Sequence, residues 1–254
     1  MRYRIDVAYH GREFHGWQKQ PDLRTVQGEL ETWLSRLIGA GADIPITGAG
    51  RTDTGVHSLC TPAHFDWPEW IHTQALEHRL RVALPNDLRV ILLHQVADDF
   101  HARYSAVARQ YSYRIRLGTW PFDRDREWQV HDTLNYETLE NCARMLKGQH
   151  DFSGFCRAES LRQNNRCTVK ESKWTIESPC LTYTIRADRF VHEMIRLIMG
   201  TFIAAARGRW GVERISEILR TGNVELCGDA APAHGLTLER VEYPPGVGAP
   251  LDFD

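Results

Sequence analysis

One acidic residue stands between two threonines in the stretch 48–57, which reads Gly-Ala-Gly-Arg-Thr-Asp-Thr-Gly-Val-His. The three glycines allow positive φ angles and close backbone approaches, and the β-branched threonines are stiff at χ1. The stretch therefore predicts a tight turn that presents Asp53, whose carboxylate could act as a general base or a nucleophile. The alternative is an ordinary turn whose aspartate only accepts hydrogen bonds from nearby backbone N–H groups.

A second candidate is Arg196, which stands among Met194, Ile195 and a following apolar run. A buried guanidinium without a partner would cost several kcal/mol, so we expect a carboxylate to meet it. Glu193, three residues earlier, is the local candidate, and a purely structural pair at that spacing is an open alternative. Asp53 is the distant candidate.

The elements that would position these residues begin with an alternating segment, 1–9, whose apolar side chains share one face. Thr25 is a plausible N-cap for a helix that ends near Gly39 and Gly41. Further strands are expected at 44–47, 58–66 and 88–96, with a helix at 70–84. Between the first strand and the first helix lies a loop whose aromatics, Phe14 and Trp17, are expected to be buried anchors rather than ligand contacts.

The second half repeats this order with one extra helix. Strands are expected at 107–117, 167–177, 180–187 and 236–243, and helices at 136–147, 190–206 and 212–221. Two successive β-α-β-β-α-β patterns predict an α+β protein of two related lobes, each an antiparallel sheet with helices on one face. We expect one lobe over residues 1–100 and the other over 101–254.

Composition is that of a globular protein, with 42% hydrophobic and 25% charged residues. The apolar run 197–206 is too short to span a membrane, and the N-terminus lacks the apolar core of a secretory signal. We therefore expect a cytoplasmic protein. The six cysteines show no C-x-x-C spacing and are expected to be reduced, which makes a zinc cage improbable.

The net charge of −2 conceals an uneven distribution. Residues 101–220 carry 20 Lys and Arg against 14 Asp and Glu, and 27 of the 31 basic residues are arginine. Arginine suits bidentate phosphate contacts and stacking on bases, which favours a nucleic-acid partner. The alternative is a genomic base composition that favours arginine codons.

Eight segments, in order, are similar to the tRNA pseudouridine synthases of the A type, the TruA family. They are 16–21, 24–30, 50–57, 100–103, 111–114, 150–152, 194–196 and 231–236, which include Gly-Arg-Thr-Asp-Thr-Gly-Val-His, Tyr-Ser-Tyr-Arg, Met-Ile-Arg and Ala-Pro-Ala-His-Gly-Leu. The resemblance runs nearly from end to end. It departs from the common pattern at His10-Gly11-Arg12, Thr54, Ser58 and Ile195, and the first of these departures bears on how the first loop meets RNA.

The resemblance implies isomerisation of uridine to pseudouridine in the anticodon stem-loop of tRNA, typically at nucleotides 38, 39 and 40. It implies a cleft between the lobes, a homodimer, and no cofactor or metal. Asp53 would be catalytic, Tyr111 would stack on the target base, and Arg196 would pair with Asp53. Arg51 would occupy the space of the extruded nucleotide, and Leu236 would pack beneath the pocket.

Two other classes of protein remain open from the residues. A noncatalytic RNA-binding protein would use the same lobes and basic middle without needing Asp53. A metal-dependent hydrolase could use His94, Asp98, Asp99 and His101, although these residues lack a recognised ligand spacing.

Overall fold

A computed structural model describes residues 1–39, 42–68 and 72–251, and its backbone divides into two compact units. The first unit is Met1–Val107 with Leu238–Asp254, and the second is Ala108–Thr237. The expected division at residue 100 stays a prediction. Within the described residues, no helix is long and apolar enough to cross a membrane.

The described part of the chain contains five α-helices and ten strands, besides short 3-10 helical turns. Those up to residue 95 are β1 (Arg2–Tyr9), α1 (Val26–Ile38), β2 (Thr47–Gly48), β3 (His57–Asp66), α2 (Thr73–Ala83) and β4 (Leu88–Gln95). Those that follow are β5 (Ala108–Leu117), β6 (Trp128–Val130), α3 (Tyr136–Met145), β7 (Gly148–Asp151), β8 (Arg166–Glu177), β9 (Cys180–Ala187), α4 (Met194–Ala206), α5 (Glu213–Thr221) and β10 (Leu236–Glu242). The mixture of helices with mostly antiparallel strands confirms the α+β prediction.

The sheet of the first unit has the strand order β4-β1-β3-β10, with β2 paired to β3. β1 is antiparallel to both of its neighbours, and its alternation places Tyr3, Ile5 and Val7 in the core at 0% exposure. The same core contains Leu30 of α1 and Leu80 of α2, so both helices cover this face of the sheet. The N-cap prediction at Thr25 is confirmed, since its side chain accepts a hydrogen bond from Gly28 N.

The segment after β10 packs against the first unit. The carbonyl oxygen of Gly248 accepts a hydrogen bond from Arg4 Nη1 at 3.2 Å and lies 2.9 Å from His94 Nε2. Tyr243 donates its hydroxyl to the carbonyl of Ala102 at 2.7 Å. Leu251 N reaches the carbonyl of the last residue of β4 at 3.1 Å. The described residues after β10, up to Leu251, are therefore part of this unit's structure.

The second unit has the strand order β5-β9-β8-β7, all paired antiparallel, with β6 parallel to β5. Helices cover one face of this sheet: Ser172 donates its hydroxyl to the carbonyl of Ala143 on α3, and the rings of Tyr183 and Phe202 on α4 lie 5.4 Å apart. The strands β6 and β7 are additions to the predicted order. Each is too short to show a period in the sequence.

Helix α4 is apolar on all sides, and every one of its residues except Arg196 is buried. Such a helix belongs to the interior of a domain. It begins at Met194, four residues later than predicted, because Glu193 adopts a left-handed conformation with φ of 57°. That conformation ends any helical path from the preceding residues and places Arg196 in the first turn.

Candidate active site

The loop that carries Asp53 connects β2 to β3 in the first unit. Asp53 is half-buried, whereas its neighbours Arg51 and Thr54 are exposed. The turn closes where Val56 N donates to the carbonyl of Asp53 at 3.1 Å, with Gly55 at a φ of 82°. Any other residue at position 55 would be strained in that conformation, so the backbone angle explains why Gly55 is a glycine.

The other two glycines differ from each other. A Cβ atom at Gly48 would lie 2.4 Å from the ring of Trp17, whereas one at Gly50 would meet nothing within 4 Å. Gly48 is therefore needed for the close approach of an aromatic ring. Trp17 and Phe14 are 2% and 1% exposed, which confirms their prediction as buried anchors.

The loop before α1 braces the Asp53 turn from one side. Trp17 N donates to the carbonyl of Thr52 at 3.1 Å, and Gly55 N donates to the carbonyl of Phe14 at 3.3 Å. Gly16, at a φ of 83°, lies so close that a Cβ atom there would be 2.6 Å from the Thr52 oxygen. Backbone contacts on both sides of residue 53 thus fix the path of the turn.

A buried group of hydroxyls holds the turn from beneath. The Tyr9 hydroxyl lies 2.8 Å from Thr52 Oγ1, and Thr61 Oγ1 lies 3.4 Å from the Tyr9 oxygen and 2.8 Å from Ser58 Oγ. Burial raises the pKa of Tyr9, so it stays a neutral donor and acceptor. The alternation of β1 identified Tyr9 as a core residue, but it gave no sign of this polar role.

In the second unit, Arg196 has the carboxylate partner that its burial requires. Its Nη1 donates to Glu193 Oε1 at 2.6 Å and its Nε donates to the carbonyl of Ala231 at 2.8 Å, with 17% of the side chain exposed. The expectation of a partner is confirmed, and Glu193, the local candidate, is that partner. Pairing of Arg196 with Asp53 stays a prediction.

Glu193 forms ion pairs with two arginines, Arg196 and Arg157. Its other oxygen, Oε2, accepts a hydrogen bond from Nε of Arg157, and its side chain is only 7% exposed. A non-glycine residue in the left-handed region costs on the order of 1–3 kcal/mol and persists only where its surroundings hold it. The two ion pairs are the contacts that hold it here.

The segment 228–236 lies against α4 and leads to Leu236. A Cβ atom at Gly200 would be 1.7 Å from the carbonyl oxygen of Asp229, so the segment contacts the helix backbone directly. Ala231 N donates to the carbonyl of Arg196 at 3.0 Å, which adds to the contact from the arginine side chain. Leu236 follows at 5% exposure and opens β10.

Tyr111 lies on β5, paired across the ladder with Ile185 of β9. It is 9% exposed, and its ring meets that of Phe190 edge to face, with centroids 5.1 Å apart and planes at 80°. Two arginines of the same strand, Arg114 and Arg116, each contact the buried carboxylate of Glu127 at 2.5 Å, which partly neutralises their charge.

The structure thus places the five predicted site residues in two sets. Arg51 and Asp53 share one turn of the first unit, and Arg196, Leu236 and Tyr111 belong to the second. The contact of Ala231 with Arg196 links the segment of Leu236 to the first turn of α4. Two further residues contact these sets: Tyr9 bonds Thr52 beside Asp53, and Glu193 pairs with Arg196. Sequence reasoning gave Tyr9 no polar role and gave Glu193 only a possible ion pair.

The residues of the alternative metal site have other contacts. His94 Nε2 meets the carbonyl of Gly248, and His101 Nδ1 accepts from the backbone N–H groups of Arg103 and Tyr104. Among the residues that the structure describes, no group of three or more His, Cys, Asp or Glu side chains is arranged to hold a metal ion.

This chain was compared with known families, solved structures and individual proteins. The family model described as tRNA pseudouridine synthase matches residues 142–244. A match to a solved structure titled "Crystal Structure of a Cbf5-Nop10-Gar1 Complex" extends over 92% of this chain and 57% of that chain, with a TM-score of 0.34 and 10% sequence identity.

Full-length relatives are more informative. The protein named tRNA pseudouridine synthase A of Bacteroides thetaiotaomicron is 36% identical over 97% of this chain and 92% of its own length. Its namesake in Bacillus subtilis is 36% identical over 96% and 99%, and that in Cutibacterium acnes is 38% identical over 96% and 89%. Identity at this level over nearly the whole of both chains shows that the chain belongs to the tRNA pseudouridine synthase A family.

Proposed function

We propose that this protein isomerises uridine to pseudouridine in tRNA, at nucleotides 38, 39 and 40 of the anticodon stem-loop. The observation that carries the proposal is the carboxylate of Asp53 on a turn held by backbone contacts from Phe14 and Trp17 and by the Tyr9–Thr52 hydroxyl pair. Family membership supplies the reaction. A fixed carboxylate is the one group that this reaction demands of the protein at the sugar.

The isomerisation requires three changes in the nucleotide. The C1'–N1 bond breaks, the uracil turns while it is retained in the site, and C5 joins C1'. The proton lost from C5 is balanced by the proton gained at N1, so no oxidant or group donor is consumed. Asp53 would act on the sugar, as a nucleophile at C1' or as a base, and both roles need an ionised carboxylate.

The other site residues would serve binding and access. The aromatic ring of Tyr111 would stack on the target base. Such stacking does not depend on the identity of the base, because every base has a π face. Arg51, exposed on the Asp53 turn, would fill the space of the extruded nucleotide. Arg196 would pair with Asp53 and keep it ionised, and Leu236 would pack beneath the base.

The test separates chemistry from binding with Asp53→Asn, which keeps the shape of the side chain and removes its charge. We expect tRNA affinity within a few-fold of wild type and turnover lower by several orders of magnitude, where each factor of ten is about 1.4 kcal/mol of barrier. Single-turnover assays on unmodified tRNA with pseudouridine mapping measure both. Thr54→Ala, an exposed change in the same turn, is the matched control and should keep turnover.

Two results would contradict the proposal. A folded Asp53→Asn protein with substantial turnover would remove the catalytic role of Asp53. A wild-type protein that binds tRNA yet yields no pseudouridine at any position would instead indicate a noncatalytic RNA-binding protein.

We further propose that the protein acts in the cytoplasm as a homodimer. The support is the family resemblance and the size of a tRNA relative to one chain of 254 residues. Light scattering that reports only the monomer mass at working concentration would contradict the dimer.

A further inference from the structure

Glu193 joins the beginning of α4 to the segment 157–160. One carboxylate oxygen accepts from Arg196 at 2.6 Å, and the other accepts from Arg157. One residue earlier, His192 Nδ1 lies 2.7 Å from Ser160 Oγ. Two side-chain contacts from adjacent residues therefore tie this segment to the start of the helix.

The backbone at Glu193 adopts a conformation that is unfavourable for glutamate. Its φ of 57° lies in the left-handed region, where glycine is the least strained residue and asparagine is tolerated. A long acidic side chain gains nothing locally from that conformation. Its contacts with the two arginines give a physical reason for glutamate at this position.

Arg196 is oriented through two different nitrogen atoms. Nε is fixed by the carbonyl of Ala231 and Nη1 by Glu193, so both the plane of the guanidinium and its rotation are set. Arg157 holds the second oxygen of Glu193, which prevents the carboxylate from turning away from Arg196. Charge-assisted contacts of this kind are stronger than neutral ones, and their geometry is better defined.

We propose that Glu193 is a positioning residue for the isomerisation: held by Arg157, it orients Arg196 for its role at the active site. This inference rests on the proposed function, in which Arg196 acts on the catalytic carboxylate. A guanidinium displaced by about 1 Å can lower turnover on the order of 100-fold without much change in substrate binding. Glu193 itself need not touch the nucleotide.

The experiment compares two substitutions that differ in their effect on the backbone. Glu193→Gln keeps the shape and removes the charge, whereas Glu193→Gly also relieves the left-handed strain. We expect both to lower kcat on unmodified tRNA by roughly 10- to 100-fold with KM within a few-fold. The melting temperature of Glu193→Gly should be equal to or above that of Glu193→Gln. Wild-type kcat in either folded variant would overturn the inference.

A double-substitution cycle distinguishes positioning from a merely structural role. Because Glu193 acts through Arg196, adding Glu193→Gln to an Arg196→Ala protein should cause no further loss of kcat. Additive losses would overturn the inference. Glu217→Gln is the matched control, since Glu217 pairs with Arg214 on α5 at the same three-residue spacing. It should leave kcat unchanged, and a loss equal to that of Glu193→Gln would contradict a specific role.

The same assays separate this inference from the proposed function. A wild-type protein without product contradicts the proposed function. An active wild type with an unimpaired Arg196→Ala variant removes the role of Arg196 and overturns the inference with it. Impairment by Arg196→Ala but not by Glu193→Gln overturns the inference alone.

Discussion

Arg51 and Asp53 lie two residues apart on one turn, and they differ in exposure. Arg51 is exposed, whereas Asp53 is half-buried and followed by a backbone hydrogen bond that closes the turn. An exposed arginine beside the carboxylate that we propose to be catalytic can enter the space that a flipped nucleotide leaves. It would stabilise only the flipped complex, because no such space exists before extrusion.

We therefore expect Arg51→Ala to slow base access rather than the chemical step. Extrusion of a paired base costs a few kcal/mol, and an unpaired target removes part of that cost. Single-turnover formation of pseudouridine should fall on a paired target and recover in part on an unpaired one, whereas Asp53→Asn should recover on neither. Equal defects of Arg51→Ala on both substrates would contradict the role, and circular dichroism controls for unfolding.

His64 gives a second prediction, on stability against pH. Burial, with smaller contributions from Arg2 and His101, lowers the pKa of His64 to about 4, and its Nδ1 accepts a hydrogen bond from Ala102 N. The neutral ring is thus favoured in the folded state, so the unfolded chain binds the additional proton. Its contribution to stability is complete above about pH 6.5 and is lost as the pH falls towards 4.

Urea unfolding at pH 7 and at pH 4.5 measures the effect of His64. We expect wild type to lose more stability over this interval than His64→Gln, which keeps an acceptor but does not titrate. Identical losses in the two proteins would show that other groups dominate acid unfolding.

Some residue roles could be predicted from sequence and others could not. Thr25 as a cap and Phe14 as an anchor follow from local chemistry, and both are confirmed. The ion pair between Arg157 and Glu193 joins residues 36 positions apart, and no local sequence pattern indicates it. The convergence of the five site residues came from the family resemblance and stays a prediction.

At the scale of elements, close approach decides which glycines matter. A Cβ atom added at Gly48 would lie 2.4 Å from the ring of Trp17. A Cβ atom added at Gly50, two residues later, would meet no atom within 4 Å. Gly48→Ala should therefore destabilise the protein by about 1–3 kcal/mol, since the buried tryptophan or the backbone must shift. Because Trp17 N also bonds Thr52, turnover should fall as well.

The matched variant is Gly50→Ala, which should change stability by no more than about 0.5 kcal/mol. Denaturant midpoints and single-turnover rates of both variants provide the measurement. A Gly48→Ala protein as stable and active as Gly50→Ala would show that Trp17 moves aside without consequence.

Two element boundaries differ from those predicted. A strand was expected at 44–47, but β2 covers only Thr47–Gly48, because Ile46 N donates to the side chain of Glu31 at 3.2 Å. The helix expected at 70–84 is observed as Thr73–Ala83, and residues 70 and 71 lie outside the described residues. The first difference depends on a tertiary contact, which the hydrophobic period of the sequence does not encode.

For the whole molecule, the arginine content predicts how binding responds to salt. Glu127 partly neutralises Arg114 and Arg116, so these two arginines should contribute less to phosphate binding than basic residues without such a carboxylate partner. We nevertheless expect tRNA affinity to fall steeply with salt, with a log–log slope of about −0.7 to −0.9 per phosphate contacted. Titrations from low to physiological salt measure the slope, with thermal melts at each condition as the control. A flat response would contradict an electrostatic interface.

Because Leu238–Asp254 belongs to the first unit, that unit cannot be completed until the end of the chain has been synthesised. β3 lacks its neighbour β10 until the ribosome has made all of the second unit. At ordinary elongation rates this delay is on the order of ten seconds. During that interval the edge of β3 away from β1 is covered only by the two-residue strand β2, and an open strand edge is a template for association with other chains. Chaperone demand should therefore be highest before the final strand emerges.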